Sequence, residues 1–255
     1  MGSWCEYKRP FTLKVALIAV FAAFFYAILW LPGIPAIGIP GLKIQWTASM
    51  ASVIAMLLGP GLAPIAVLIG SVLKTLYPLT PFGIPFMFCP VLNAICVSLM
   101  LRARSFYLAY LVPQLYFITM LVLTYLTPVF YGYLYPYYVV GLADVIAATA
   151  LVLPAYLLSR GVFTTTSLKT AIGLFLVMFI GTEADIVLGD FAFCLPIVHR
   201  TLFGIPTEAA RMAFLAKPLY IAIEHVLRAL LAYLVAIPLL SIVRKSSRLR
   251  YVFGL

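Results

Sequence analysis

The stretch Gly181-Thr182-Glu183-Ala184-Asp185-Ile186-Val187-Leu188-Gly189-Asp190 places three carboxylates at the end of a long apolar run, in a chain with only seven acidic side chains. A charge beside bilayer hydrocarbon is costly, so such residues face a protein interior or a cavity and often mark a pathway or ligand site. The run therefore reads as a membrane helix, with Glu183 and Asp185 on the wall of a polar pocket. Asp190 reads as the wet last turn of that helix. An ordinary helix end is the simpler account of the other two.

The rest of the 255-residue chain agrees with a membrane setting. It is 65% hydrophobic and 9% charged, with a mean hydropathy of +1.15, which belongs to integral membrane proteins. A spanning helix needs roughly 20 apolar residues, and several such runs are present. The ten-residue alternation of a β-barrel is absent. The expected fold is all-α, a polytopic helical bundle forming one integral membrane domain over residues 1–255. Residues 13–31 follow Lys8, Arg9 and Lys14 in the manner of a signal peptide, but the run is too long and no small-x-small site follows it. It reads as the first membrane helix.

The net charge of +10 does not point to nucleic acid, because the bases are scattered in loops between apolar helices. Cys5, Cys89, Cys96 and Cys194 show no CxxC spacing, so neither a metal site nor a disulfide framework is indicated. Cys89 and Cys96 are seven apart, on one buried helical face.

Eight helices are expected, at about 13–31, 45–58, 62–77, 84–101, 106–127, 138–158, 168–188 and 218–243. The first carries Ala19, Ala23 and Ala27 at spacings of four, a small-residue stripe over which another helix can pack closely. A Pro/Gly-rich apolar loop, 32–44, reads as a lid or as a plain interfacial connection. The second helix is short for a span and reads as tilted or re-entrant. Asn93 and Gln114 read as interhelical glue, and Tyr131 to Tyr138 as an aromatic belt. Residues 206–216 form an amphipathic interfacial helix in the loop 189–217.

Eight helices put both termini on one side. That side holds eleven bases, from Lys8 through Arg102, Arg104 and Arg160 to Arg250, against five on the other. The positive-inside rule then places both termini in the cytoplasm. In that topology Asp144 and Glu224 lie about 9 Å, and Glu183 and Asp185 about 5–8 Å, from the outer face at the helical rise. Their shared level argues for one polar site made of Asp144, Glu183, Asp185, Glu224 and His225, open to the outside. Glu224 and Arg228, at i and i+4, also suit a structural pair. The remaining acids call for Lys43, Lys74, a cationic ligand or protonation. No phosphate loop, HExxH or histidine pair is present, so no metal, cofactor or catalytic residue is expected, and uphill transport must draw energy from an ion, a proton or another subunit.

The Ala19-x-x-x-Ala23 stripe, the apolar first loop, the Leu58-Gly59-Pro60-Gly61-Leu62-Ala63-Pro64-Ile65-Ala66 hairpin, Glu183-Ala184-Asp185 with Gly189-Asp190, and the last helix around Ile223-Glu224-His225-Val226-Leu227-Arg228 together resemble the substrate-binding S components of energy-coupling-factor vitamin transporters, in particular archaeal members of unassigned substrate. The resemblance implies a non-enzymatic capture subunit of a cell-membrane importer for a small nutrient such as a vitamin. It implies docking of Ala19 and Ala23 on a transmembrane coupling subunit powered by two cytoplasmic ATPases. Family members usually have six helices, so pocket residues are not carried over. Two other readings stand beside it: a proton-coupled secondary transporter with Asp144, Asp185 and Glu224 as relay, without a visible internal repeat, and an intramembrane enzyme using Glu183 and Asp185.

Overall fold

The computed structural model describes residues 9–35, 43–44, 48–77, 79–165, 167–217 and 221–255. The chain folds as a helical bundle. In order, the helices are α1 (Phe11–Ile28), α2 (Ala48–Leu58), α3 (Ala63–Leu76), α4 (Cys89–Arg102), α5 (Val112–Tyr125), α6 (Val139–Gly141), α7 (Ala143–Ser159), α8 (Leu168–Cys194), α9 (Thr207–Ala216), α10 (Ile221–Lys245) and α11 (Ser247–Phe253). A two-residue antiparallel pair, Ile34–Pro35 with Lys43–Ile44, closes the base of the first loop; the rest of the expected lid, and Gln45 to Thr47, lie outside the described residues.

Among the described residues, five helical stretches are long and apolar enough to cross a membrane: Phe11–Ile28, Pro81–Arg102, Tyr107–Tyr125, Leu168–Cys194 and Ile223–Lys245. A sixth is broken, Leu134–Gly141 joining Ala143–Ser159 at a 59° bend. Of the eight membrane helices expected, α2 and α3 fall short of span length and the sixth is broken, so the described residues hold five candidate spans, or six with the bent pair. α2 survives at 11 residues because neighbours enclose it: Ala51, Ile54, Ala55 and Met56 have no exposed surface. A helix buried in protein need not match the thickness of the bilayer.

α8 is the central post. Ser167 and Thr170 cap its start reciprocally, the Ser167 Oγ accepting from the Thr170 N–H and the Thr170 Oγ1 from the Ser167 N–H, which satisfies donors that a helix start leaves open. Two glycines let neighbours approach. A Cβ on Gly173 would lie 2.3 Å from the Leu158 carbonyl carbon of α7, and one on Gly181 would lie 2.3 Å from Val97 and 2.7 Å from Asn93 of α4. Asn93 accepts a 2.7 Å hydrogen bond from Ser52 of α2, so it ties helices together as expected. On α1, close packing uses Ala22, whose carbonyl would meet a Cβ on Gly70 of α3 at 2.9 Å. Ala19, Ala23 and Ala27 are left exposed on other faces.

Three corrections follow. The α8 helix does not stop near 188 but runs on to Cys194, because Phe191-Ala192-Phe193-Cys194 continues its apolar wall. Asp190 is therefore inside a helix. The tyrosine stretch is only partly a surface belt: Tyr131 and Tyr135 are exposed, whereas Tyr138 is buried and donates to the Leu121 carbonyl at 2.7 Å.

The two ends of the bundle differ in charge. Arg9, Gly59, Arg102, Arg160, Arg244 and Gly254 meet at one end, which brings the first and last described segments together. Asp144 and Glu183 lie 15 residues along α7 and α8 from that end, roughly 22 Å at the helical rise.

Candidate functional site

The site forms where the break before α7, the far half of α8, the end of α9 and the start of α10 converge. Gly141 permits α6 to touch α9 closely, since a Cβ there would lie 2.9 Å from the Phe214 Cβ. Three residues beyond each partner of that contact stand Asp144 and Lys217, whose Nζ lies 3.4 Å from the Asp144 Oδ2. Lys217 also donates to the Asp190 Oδ2 at 2.5 Å. From α10, the His225 Nδ1 lies 2.9 Å from the Glu183 Oε1 and 3.0 Å from the Asp144 Oδ2. The Asp144 Oδ1 accepts from the Val145 N–H at 2.9 Å, at the positive start of α7.

This group is enclosed. Side-chain exposure is 0% for Glu183, 2% for His225, 5% for Lys217, 8% for Asp144 and 15% for Asp190. The second oxygen of Glu183, Oε2, is buried without a hydrogen-bond partner among the described residues. Burial alone would favour a neutral Lys217, but Asp190 and then Asp144 outweigh it and hold its pKa above the ordinary lysine value. Three carboxyl groups thus face one fixed ammonium and one imidazole, so the acidic groups outnumber the basic ones. Donor atoms of Asp144, Glu183 and His225 lie within 4.8 Å of one another, an O,O,N set of the kind that holds a divalent cation. Lys217 already supplies positive charge against Asp144 there.

Of the five residues expected in the pocket, Asp144, Glu183 and His225 come together. Asp185 does not share their helix face, since a residue two positions on projects about 200° around the helix. It is half-buried and makes no hydrogen bond or ion pair among the described residues. Glu224 is engaged elsewhere, accepting from the Arg228 guanidinium one turn along α10. Lys74 is not a counter-ion of the site either, because its ammonium sits 3.4 Å above the Trp30 ring; the Lys43 side chain lies outside the described residues. Lys217 and Asp190 were not anticipated. Asp190 stands seven residues, close to two turns, beyond Glu183, which places both on one face once α8 continues. Tyr116 of α5 steadies that part of α8 by donating to the Ala184 carbonyl at 2.7 Å.

A cap covers this end. Arg211 of α9 donates to the Val129 carbonyl at 2.7 Å, pairs with Glu208 at 2.5 Å and lies 3.6 Å over the Tyr133 ring. Arg200 donates to the Thr207 hydroxyl oxygen at 2.8 Å, and buried His199 bridges that hydroxyl and the Phe193 carbonyl, each at 3.2 Å. Since the Phe193 carbonyl can only accept, the His199 Nδ1–H donates to it, and neutral His199 accepts at Nε2 from the Thr207 hydroxyl. Burial pushes the His199 pKa below its ordinary value.

The chain matches no protein-family model, and neither curated proteins nor solved structures gave a match.

Proposed function

We infer that the protein captures a small solute, positively charged or rich in hydrogen-bond donors, at the Asp144, Glu183 and Asp190 cluster, and serves solute import. The observation that carries this reading is the excess of carboxyl groups over bases around the Glu183 Oε2, which has no hydrogen-bond partner among the described residues, inside an apolar bundle. Unpaired buried charge is costly enough to be retained for a pathway or ligand. The basic end is then cytoplasmic by the positive-inside rule, and the cluster lies toward the outer leaflet, the side from which an importer takes its cargo.

The finer reading is a capture subunit of the energy-coupling-factor type. Support for it is the exposure of Ala19 and Ala23: close packing inside the bundle uses Ala22, so the outward stripe remains available for a coupling subunit. The test is purification of the tagged protein from its native membrane beside Ala19→Leu/Ala23→Leu. Co-purification of a membrane subunit and two ATPases, lost in the double variant, is the expected result. Recovery of the protein alone in both cases removes this reading.

A second reading, proton-coupled transport by the lone chain, draws on one observation, the His225 Nδ1 held between two carboxylates within 3.0 Å. Proteoliposomes containing only this protein would then accumulate solute under an imposed pH gradient.

A further inference from the structure

The basic end encloses a cavity of about 1180 Å³, walled by Arg9, the Gly59-Pro60-Gly61 turn, the end of α4, the turn after α7, α10 and the last described residues. Two of its arginines hold the fold together. Arg102 donates to the carbonyls of Leu57, Phe253 and Gly254 at 2.7–2.8 Å, and Arg244 donates to those of Val162 and Thr165. Such bonds satisfy acceptors that helix ends leave open. Yet guanidinium donors are left over: the Arg244 Nε and the Arg9 Nη1 are buried without hydrogen-bond partners among the described residues.

Lys14, Arg104, Arg160 and Arg250 complete the wall, and no Asp or Glu side chain among the described residues lines it. A carboxylate on Leu255 would offset only one of these seven charges. Arg9 and Arg102 are close enough to repel one another. The positive-inside rule accounts for bases on this face, but not for their gathering around one concavity with donors left over. Arginine forks match the paired oxygens of a phosphate. The same wall carries Leu58, Leu62, Met100 and Leu240, apolar surface that suits a phosphate joined to an apolar body, and the volume exceeds what a bare anion fills.

We propose that this cavity is an anion site that takes a phosphate group, borne either by an acidic lipid headgroup of the adjoining leaflet or by a soluble phosphate compound. The site is separate from the carboxylate cluster and independent of its reading.

The test uses the full chain and the variant R104Q/R160Q/R250Q. These three side chains are exposed and donate no hydrogen bond among the described residues, Arg160 lying only 5.0 Å over the Tyr156 ring, so the unliganded variant is expected to unfold close to the wild-type temperature. Thermal midpoints are measured with inorganic pyrophosphate against sodium chloride at equal ionic strength, and in nanodiscs of phosphatidylcholine with or without phosphatidylglycerol. A rise in the wild type with pyrophosphate, with apparent affinity roughly tenfold weaker in the variant, supports the site with a soluble source. A rise with phosphatidylglycerol alone, with that lipid retained by wild type and not by variant in native mass spectrometry, supports it with a lipid source. If neither probe exceeds its control, or the variant responds as the wild type does, the proposal is overturned.

Discussion

Lys217 decides whether the carboxylates can stay buried. It lies 2.5 Å from Asp190 and 3.4 Å from Asp144 with only 5% of its side chain exposed. Lys217→Met would strand both acids, and removal of one partner from a buried pair costs about 3–5 kcal/mol. A matching fall in the unfolding midpoint in detergent is expected, with partial recovery in Lys217→Met/Asp190→Asn. Asp144, Glu183 and His225 were legible because depth can be counted along three apolar helices, and residues at one level in adjacent helices meet. Lys217 was not legible, since it stands beyond an interfacial helix and reaches a carboxylate 27 positions away. Glu224 was ambiguous on the page: its i, i+4 spacing to Arg228 and its depth gave competing assignments, and the local pair won.

The cap built from residues 195–217 has its own pH response. Neutral His199 accepts from Thr207 while donating to Phe193, and protonation removes the acceptor. With the folded pKa below the ordinary value of 6.5, the unfolded segment binds the extra proton first. The contribution of the cap is therefore complete above about pH 6.5 and fades as pH falls below it. Hydrogen exchange of residues 195–217 at pH 7.5 and pH 5 is expected to show loss of protection in acid, and His199→Gln, which keeps a donor and an acceptor, is expected to flatten the difference. Among the elements, helix positions were readable from runs of apolar residues, but the length of α8 was not. Gly189 looks like a helix stop, and only the packing of Phe193 and Cys194 carries α8 past it. The shortness of α2 was expected from its sequence; what sustains so short a helix is enclosure by its neighbours.

At the scale of the whole chain, charge is divided between the ends. Six of the seven acids, Asp144, Glu183, Asp185, Asp190, Glu208 and Glu224, gather in the half of the bundle opposite the arginine-lined cavity. That separation could be anticipated from loop counts, because each apolar helix moves the chain from one face to the other and the bases accumulate on alternate visits. The concavity they surround could not, since it depends on how six segments end side by side. The bend before α7 was equally hidden: nothing in Gly141-Leu142-Ala143 announces a 59° change of direction.

The depth of the Asp144 and Glu183 pair has an electrical consequence. The pair stands roughly 22 Å from the basic end at the helical rise, in a hydrocarbon slab about 30 Å thick. A monovalent cation reaching it from the other face crosses about a quarter of the transmembrane voltage drop. At about 2.3 kcal/mol per elementary charge per 100 mV, occupancy gains about 0.6 kcal/mol, or a factor of about 2.7, for each 100 mV of inside-negative polarisation. Under the proposed capture function, equilibrium binding to oriented proteoliposomes clamped by potassium and valinomycin is expected to follow that slope for a cation and to be flat for a neutral solute, so that membrane voltage itself reports the charge of the bound solute.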